Sequence, residues 1–118
     1  MNLKILMVTL SVWMLVMQHA YAKDMALNIK TEVKGQYFLV EKTSGTNNLS
    51  TLLVKRVTAQ RSVYVKREFD CAAKTVRYIG SGESLDEMEK DIADQKAYPV
   101  RKNSISAQLS VYACSRSG

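Results

Sequence analysis

The sequence predicts an α+β domain: an antiparallel β-sheet meander, packed by one or two helices near the C-terminus and closed by one disulfide. Three observations predict it. β-rich segments follow one another across residues 51–80 with links of only three or four residues, 59–61 and 70–73. Strands joined that closely pair antiparallel. A Ser-x-x-Glu helix-start signature then falls at Ser84 and Glu87, where the Ser hydroxyl and the Glu side chain can satisfy the first free amides of a helix. Last, the chain holds two cysteines, Cys71 and Cys114.

Residues 1–22 form a separate unit. Met1-Asn2-Leu3-Lys4 is a short basic start, residues 5–17 carry no charge, and small residues stand at Ala20 and Ala22. This three-part layout is that of a secretory signal and predicts a cut after Ala22, leaving one domain over residues 23–118. A spanning helix needs roughly 20 apolar residues, more than this uncharged run supplies. Lys23, not Cys, follows the cut. The processed chain is therefore expected to have neither a transmembrane nor a lipid anchor, and to be periplasmic or secreted. The cut removes the chain's one His (His19) and one Trp (Trp13), leaving 16 basic and 11 acidic residues. A domain this short buries only about two-thirds of its unfolded surface, so its stability margin is thin.

The elements are expected in the following order. Residues 23–34 alternate loosely through Leu27, Ile29 and Val33 and suit a first strand. Gly35 turns the chain, 36–42 (QYFLVEK) is a strand, and 43–50 (TSGTNNLS) is a turn cluster. Segments 51–58 (TLLVKRVT) and 62–69 (SVYVKREF) are the clearest strands, with 59–61 as a hairpin loop. In the second of them Val63, Val65 and Arg67 share one face, and Tyr64, Lys66 and Glu68 the other. A further strand covers 74–80 (KTVRYIG), and Gly80-Ser81-Gly82 is expected to break the sheet. Leu85, Met88 and Ile92 stand at i, i+3 and i+7, so 83–96 is a short helix or a charged loop, closed by Pro99. Residues 103–114 fit two patterns. Ile105, Ala107, Leu109, Val111 and Ala113 alternate as in a strand; Ile105, Leu109, Tyr112 and Ala113 fit a helix with Ser104 as its N-cap. Periodicity leaves both open.

Export places the cysteines in oxidising surroundings, and two of them allow one intramolecular bridge, Cys71 to Cys114. Two thiolates without His fall short of four zinc ligands, so no metal site is expected. No catalytic residue and no cofactor are expected either. The processed chain has no His, the commonest general base. Glu68 and Asp70 are two apart on a strand and read as a rim, with a capping or turn role for Asp70. Gly80-Ser81-Gly82 is too short for a phosphate loop.

Charge is unevenly placed. Residues 23–82 sum to +6 and residues 83–96 to −4. Lys55, Arg56, Arg61, Lys66, Arg67, Lys74 and Arg77 lie on the central strands and their links, with Tyr64 and Tyr78 among them. These nine residues form the candidate binding face, since such a field steers acidic partners and Tyr and Arg often anchor interfaces. The expected partner is a protein or an anionic envelope or matrix component. Nucleic acid is not expected outside the cytoplasm.

Glu68-Phe69-Asp70-Cys71-Ala72, followed by Val76-Arg77-Tyr78-Ile79 and later by Pro99, Ser104 and Cys114, resembles the surface-adhesin protein E family of exported bacterial domains. The likeness runs over residues 52–114. Tyr98 stands where that family has a Trp strand, and the lipid-anchor Cys of the namesake is absent. The resemblance implies an antiparallel sheet packed by a helix near the C-terminus, a strand-to-helix bridge, and a host-surface or matrix-binding role. The combined expectation is an exported, non-catalytic binding protein of the bacterial envelope. The alternatives are a periplasmic inhibitor or immunity protein that blocks a secreted envelope-targeting enzyme, or a secretion-system accessory protein.

Overall fold

The computed structural model describes residues 24–31 and 34–115; the segment read as a secretory signal, 1–22, lies outside the described residues. Six strands form one antiparallel sheet in chain order: β1 (Met25–Leu27), β2 (Gln36–Ser44), β3 (Leu49–Val57), β4 (Ser62–Asp70), β5 (Thr75–Gly82) and β6 (Tyr98–Pro99). Helix α1 (Leu85–Lys90) lies between β5 and β6, and helix α2 (Ile105–Cys114) follows β6. The predicted meander and its C-terminal helices are the observed architecture.

Tight turns join the long strands. Asn47 and Asn48 adopt φ of 57° and 65° between β2 and β3, a left-handed conformation that Asn tolerates better than most residues. Asp70 Oδ1 accepts from the amides of Ala72 (3.1 Å) and Ala73 (2.9 Å), fixing the β4–β5 turn. The turn role read for Asp70 is thus its position in the fold.

Register sorts the side chains. Leu52 faces Arg67, Val54 faces Val65, Arg56 faces Val63 and Ser50 faces Phe69 across β3 and β4, so these share one side of the sheet. Helix α2 packs on that side. Leu27, Tyr37, Leu52, Val54, Phe69, Leu109 and Ala113 form the core there. This contact decides between the two patterns of residues 103–114. Leu109 is 0% and Ala113 3% exposed, whereas Val111 is 67% exposed, which is helical spacing. Ser104 Oγ accepts from the Ala107 amide at 3.0 Å, as an N-cap should. At the other end the Lys42 ammonium donates to the carbonyls of Tyr112 (2.9 Å) and Ser115 (2.8 Å). A cation there satisfies helix-end carbonyls and opposes the helix dipole. Ser50 is buried among these groups, and its hydroxyl has no partner among the described residues.

The opposite side carries α1. Lys66 faces Gly80 and Tyr64 faces Gly82 in the register, and α1 lies on those glycines. The break expected at Gly80-Ser81-Gly82 does not occur; β5 continues through Gly82. Closeness of α1 is the reason for the glycines. A Cβ on Gly80 would come 2.5 Å from the Met88 carbonyl oxygen, and one on Gly82 2.6 Å from Glu87 Cβ. The helix-start signature works as read on one side, with Ser84 Oγ accepting from the Glu87 amide at 3.1 Å. Glu87 reaches the amide of Glu83 at 3.0 Å. The expected face of Leu85, Met88 and Ile92 is cut short, because the helix ends at Lys90 and only Met88 is buried.

Both edges differ from expectation too. The first strand spans three residues rather than most of 23–34; residues 28–30 are held to α2 instead, through the Gln108 carboxamide on the backbone of Lys30 (2.7 Å each way) and the Tyr112 hydroxyl on the Asn28 amide. Pro99 sits in β6, opposite Thr75. Short edge strands and an edge proline discourage pairing with another chain.

Candidate functional site

The nine residues of the candidate binding face do not share one surface. Neighbours on a strand point to opposite sides, so Lys55 and Arg56 part company, as do Lys66 and Arg67. Lys55, Tyr64, Lys66 and Arg77 lie on the α1 side, which we call the open face. Arg56, Arg67 and Tyr78 lie on the α2 side. Arg61 stands in the β3–β4 loop, and Lys74 ends the β4–β5 turn at φ 57°.

On the open face the Lys55 ammonium rests 5.7 Å from the centre of the Tyr64 ring, a cation–π contact across β3 and β4. Lys66 lies two residues along from Tyr64 on the same side, and neither lysine makes an ion pair among the described residues. Arg77 is occupied. Its Nε meets Glu68 Oε1 at 3.2 Å, and its Nη1 donates to the Asp94 carbonyl at 3.0 Å. Arg61 meets Glu83 at 3.5 Å across exposed surface.

The other side has a cleft beyond the first turn of α2. Ile105, the first residue of α2, is the one residue of that helix in its lining. A concavity of about 240 Å³ remains, floored by Val54, Val63 and Val65 and walled by Tyr37, Ile105, Tyr78 and Ser81. Arg56 and Arg67 both line it. Burial pushes the Arg67 guanidinium below its ordinary value, and positive Arg56 pushes the same way, while the phenols of Tyr37 and Tyr78 act against them. Neither arginine has a carboxylate partner among the described residues.

Tyr78 is tied to the free edge of β5. Its hydroxyl donates to Asp91 Oδ2 and lies 2.6 Å from Ser81 Oγ. Asp91 also accepts from the Ser81 amide at 3.0 Å, and the Asp94 amide donates to the Tyr78 carbonyl at 2.9 Å. Two residues of the acidic stretch thus cover strand groups that β6 is too short to reach.

A second hollow, about 310 Å³, flanks α2 beside the disulfide. Phe69, Val100, Ala107 and the Cys71–Cys114 bridge line it, with Lys74, Arg101 and Lys102 at its rim. The bridge itself joins the β4–β5 turn to the last residue of α2, with Cα atoms 5.6 Å apart, so the pairing and the strand-to-helix placement are those expected. Among the described residues no group of His, Cys, Asp or Glu is arranged to hold a metal ion, and no helix is long and apolar enough to cross a membrane.

Tyr37, Ile105, Arg101 and Lys102 join these sites without having been read from the sequence as site residues. Tyr37 alone had a usable signal: within QYFLVEK it alternates with Phe38 and so takes the side of Leu39. The other three reach their places through the path of the chain after β6. Comparison with protein-family models, curated proteins and solved structures gave no match.

Proposed function

We propose that the chain is an exported, non-catalytic binding protein of the bacterial envelope, which holds an acidic partner on its open face at Lys55, Tyr64 and Lys66. The observation that carries this reading is how the charges are used. Several carboxylates serve the fold: Glu68 with Arg77, Asp70 in its turn, Asp91 on the β5 edge, and Glu87 at the start of α1. Lys55 and Lys66, by contrast, have no anionic partner among the described residues. Tyr64 between them offers ring surface that a partner could cover. Export is supported by the layout of residues 1–22 and by the disulfide, which persists in oxidising compartments. The likeness to surface-adhesin protein E around Cys71 agrees with a binding role. The partner is a protein or an anionic envelope or matrix component.

The test is capture of envelope and matrix components on immobilised, oxidised protein at low and high salt. The double variant Lys55→Glu, Lys66→Glu should lose the captured partner. A control of equal charge change, Lys96→Glu with Lys102→Glu, should keep it. At 1 M salt the Debye length shrinks to about 3 Å, so capture should fall there. Capture that persists in the double variant, or at high salt, ends this reading.

A further inference from the structure

We infer that the cleft beyond α2 is a binding site for a small carboxylate with an apolar body, its carboxylate held by Arg56 and Arg67 and its body on the floor of Val54, Val63 and Val65. This site is on the side of the sheet opposite the open face, so it stands or falls apart from the reading above.

Three features converge on that ligand chemistry. The first is the cations. Arg67 pairs with Leu52 and Tyr78 in the register, and Arg56 with Val63 and Tyr37. The Val54–Val65 pair lies between those two rows. The guanidiniums therefore approach the same concavity from its two ends, over an apolar floor. A cation beside apolar side chains with no counterion is unfavourable, and an anion entering between the two arginines removes that cost. The planar guanidinium fork matches a carboxylate's two oxygens.

The second is the phenol of Tyr37. Its hydroxyl makes no hydrogen bond among the described residues and, unlike the Ser50 hydroxyl, is not sealed from solvent. It lines the cleft and is a donor available to an anion. Tyr78, on the facing wall, is already engaged with Asp91 and is fixed in place by it.

The third is size and floor. Small-molecule pockets commonly span about 300–1,000 Å³, so a cleft of about 240 Å³ suits a compact ligand. Inorganic anions would satisfy the arginines but leave the half-buried Val63, Val65 and Ile105 against water. A short aliphatic or aromatic carboxylate satisfies both.

The experiment is titration of the oxidised protein with hexanoate, hexanamide and sulfate, followed by calorimetry and by methyl NMR shifts of Val54, Val63 and Val65. Hexanoate should saturate one site and move those methyls. Hexanamide and sulfate should each bind about tenfold more weakly or worse, since a charge-assisted hydrogen bond is worth about that much. Arg67→Gln and Arg56→Gln should each weaken hexanoate by about tenfold, with native circular dichroism retained. Lys55→Glu with Lys66→Glu should leave hexanoate affinity within about twofold, for those residues are on the other side of the sheet. The inference is overturned if hexanoate shows no saturable binding, if hexanamide binds as tightly, or if the folded Arg56→Gln, Arg67→Gln double variant keeps full affinity. Should either arginine variant fail to fold, the wild-type comparison of hexanoate with hexanamide decides alone.

Discussion

Opening the Cys71–Cys114 bridge should remove a large share of the domain's stability, and α2 should be the first element lost. The bridge closes a loop with a sequence separation of 43. Chain-entropy reasoning gives a loop of that length about 4 kcal/mol at 25 °C. A domain of this size has a total stability of roughly 5–14 kcal/mol, so the bridge is a major part of it. The loss should be local at first. Helix α2 has ten residues, too short to persist in water without packing. What holds it is Leu109 and Ala113 on the sheet, Lys42 at its C-terminal carbonyls, and the bridge at Cys114. The assay is urea denaturation of the wild type and of the Cys71→Ser, Cys114→Ser double variant, with amide exchange read residue by residue. The variant should lose about 4 kcal/mol in urea, and in a thermal scan of the same pair its midpoint should drop by roughly 15–30 °C. Amides of α2 should exchange before those of β3 and β4. A stability difference below about 1 kcal/mol, or exchange in α2 as slow as in β3, would refute the reasoning.

Two further outcomes follow from the α1 side and the β5 edge. Gly80→Ala should cost roughly 1–3 kcal/mol in urea denaturation, because its new methyl would press on the Met88 carbonyl at 2.5 Å; Gly45→Ala, whose nearest neighbour would be 3.4 Å away, is the mild comparison. Burial first, and then the hydrogen bond to Asp91, hold the Tyr78 phenol above the ordinary tyrosine range. The contribution of that phenol to stability is complete below the unfolded tyrosine value and is lost as pH rises through the folded one. Asp91 behaves in the opposite sense: the Tyr78 hydrogen bond, then the amides of Ser81 and Ile92, hold its carboxyl below the usual range, so its contribution stands at neutral pH and is lost as pH falls through its folded value. Phenolate absorbance in an alkaline titration should show Tyr78 ionising late, and Asp91→Asn should bring it earlier; an unchanged curve in that variant would contradict the assignment.

The strands could be read because each signal is local. Alternation marks 62–69, and turn residues mark the loops at 45–48 and 58–61. Helix α2 was not legible on periodicity, since Ile105, Leu109 and Ala113 satisfy both spacings. What settles it lies elsewhere in the chain: among the described residues, the sheet side of Leu52, Val54 and Phe69 is covered by α2 and by the N-terminal segment tied to it. Gly80 and Gly82 misled for a related reason. Glycine inside a strand signals either a break or a close approach, and only the position of α1 tells which. The basic residues were legible as a group but not as surfaces. Within β4 the split of Lys66 from Arg67 could be read; which of the two sides α2 would cover could not. Sidedness follows from register and packing, and a one-residue slip would exchange the sides.

Arg67 offers a way to separate stability from function in this fold. It occupies a core-side position between Leu52 and Tyr78 in the register, where an apolar side chain would pack against the same valines. Met has similar length, needs no counterion, and fills irregular space. If Arg67 were there to support the fold, Arg67→Met would destabilise the protein. If instead the guanidinium is kept for a ligand, the same change should be neutral or should stabilise by about 1 kcal/mol, the usual scale of gain when a functional residue at a folding cost is replaced. Urea denaturation measures the stability and hexanoate titration the binding. The reasoning requires the two to move apart, stability level or up and affinity down by about tenfold. A variant that loses stability by more than about 1 kcal/mol would make Arg67 a structural residue and remove the physical reason for an anion in the cleft, because the cation would then already be satisfied by the protein around it.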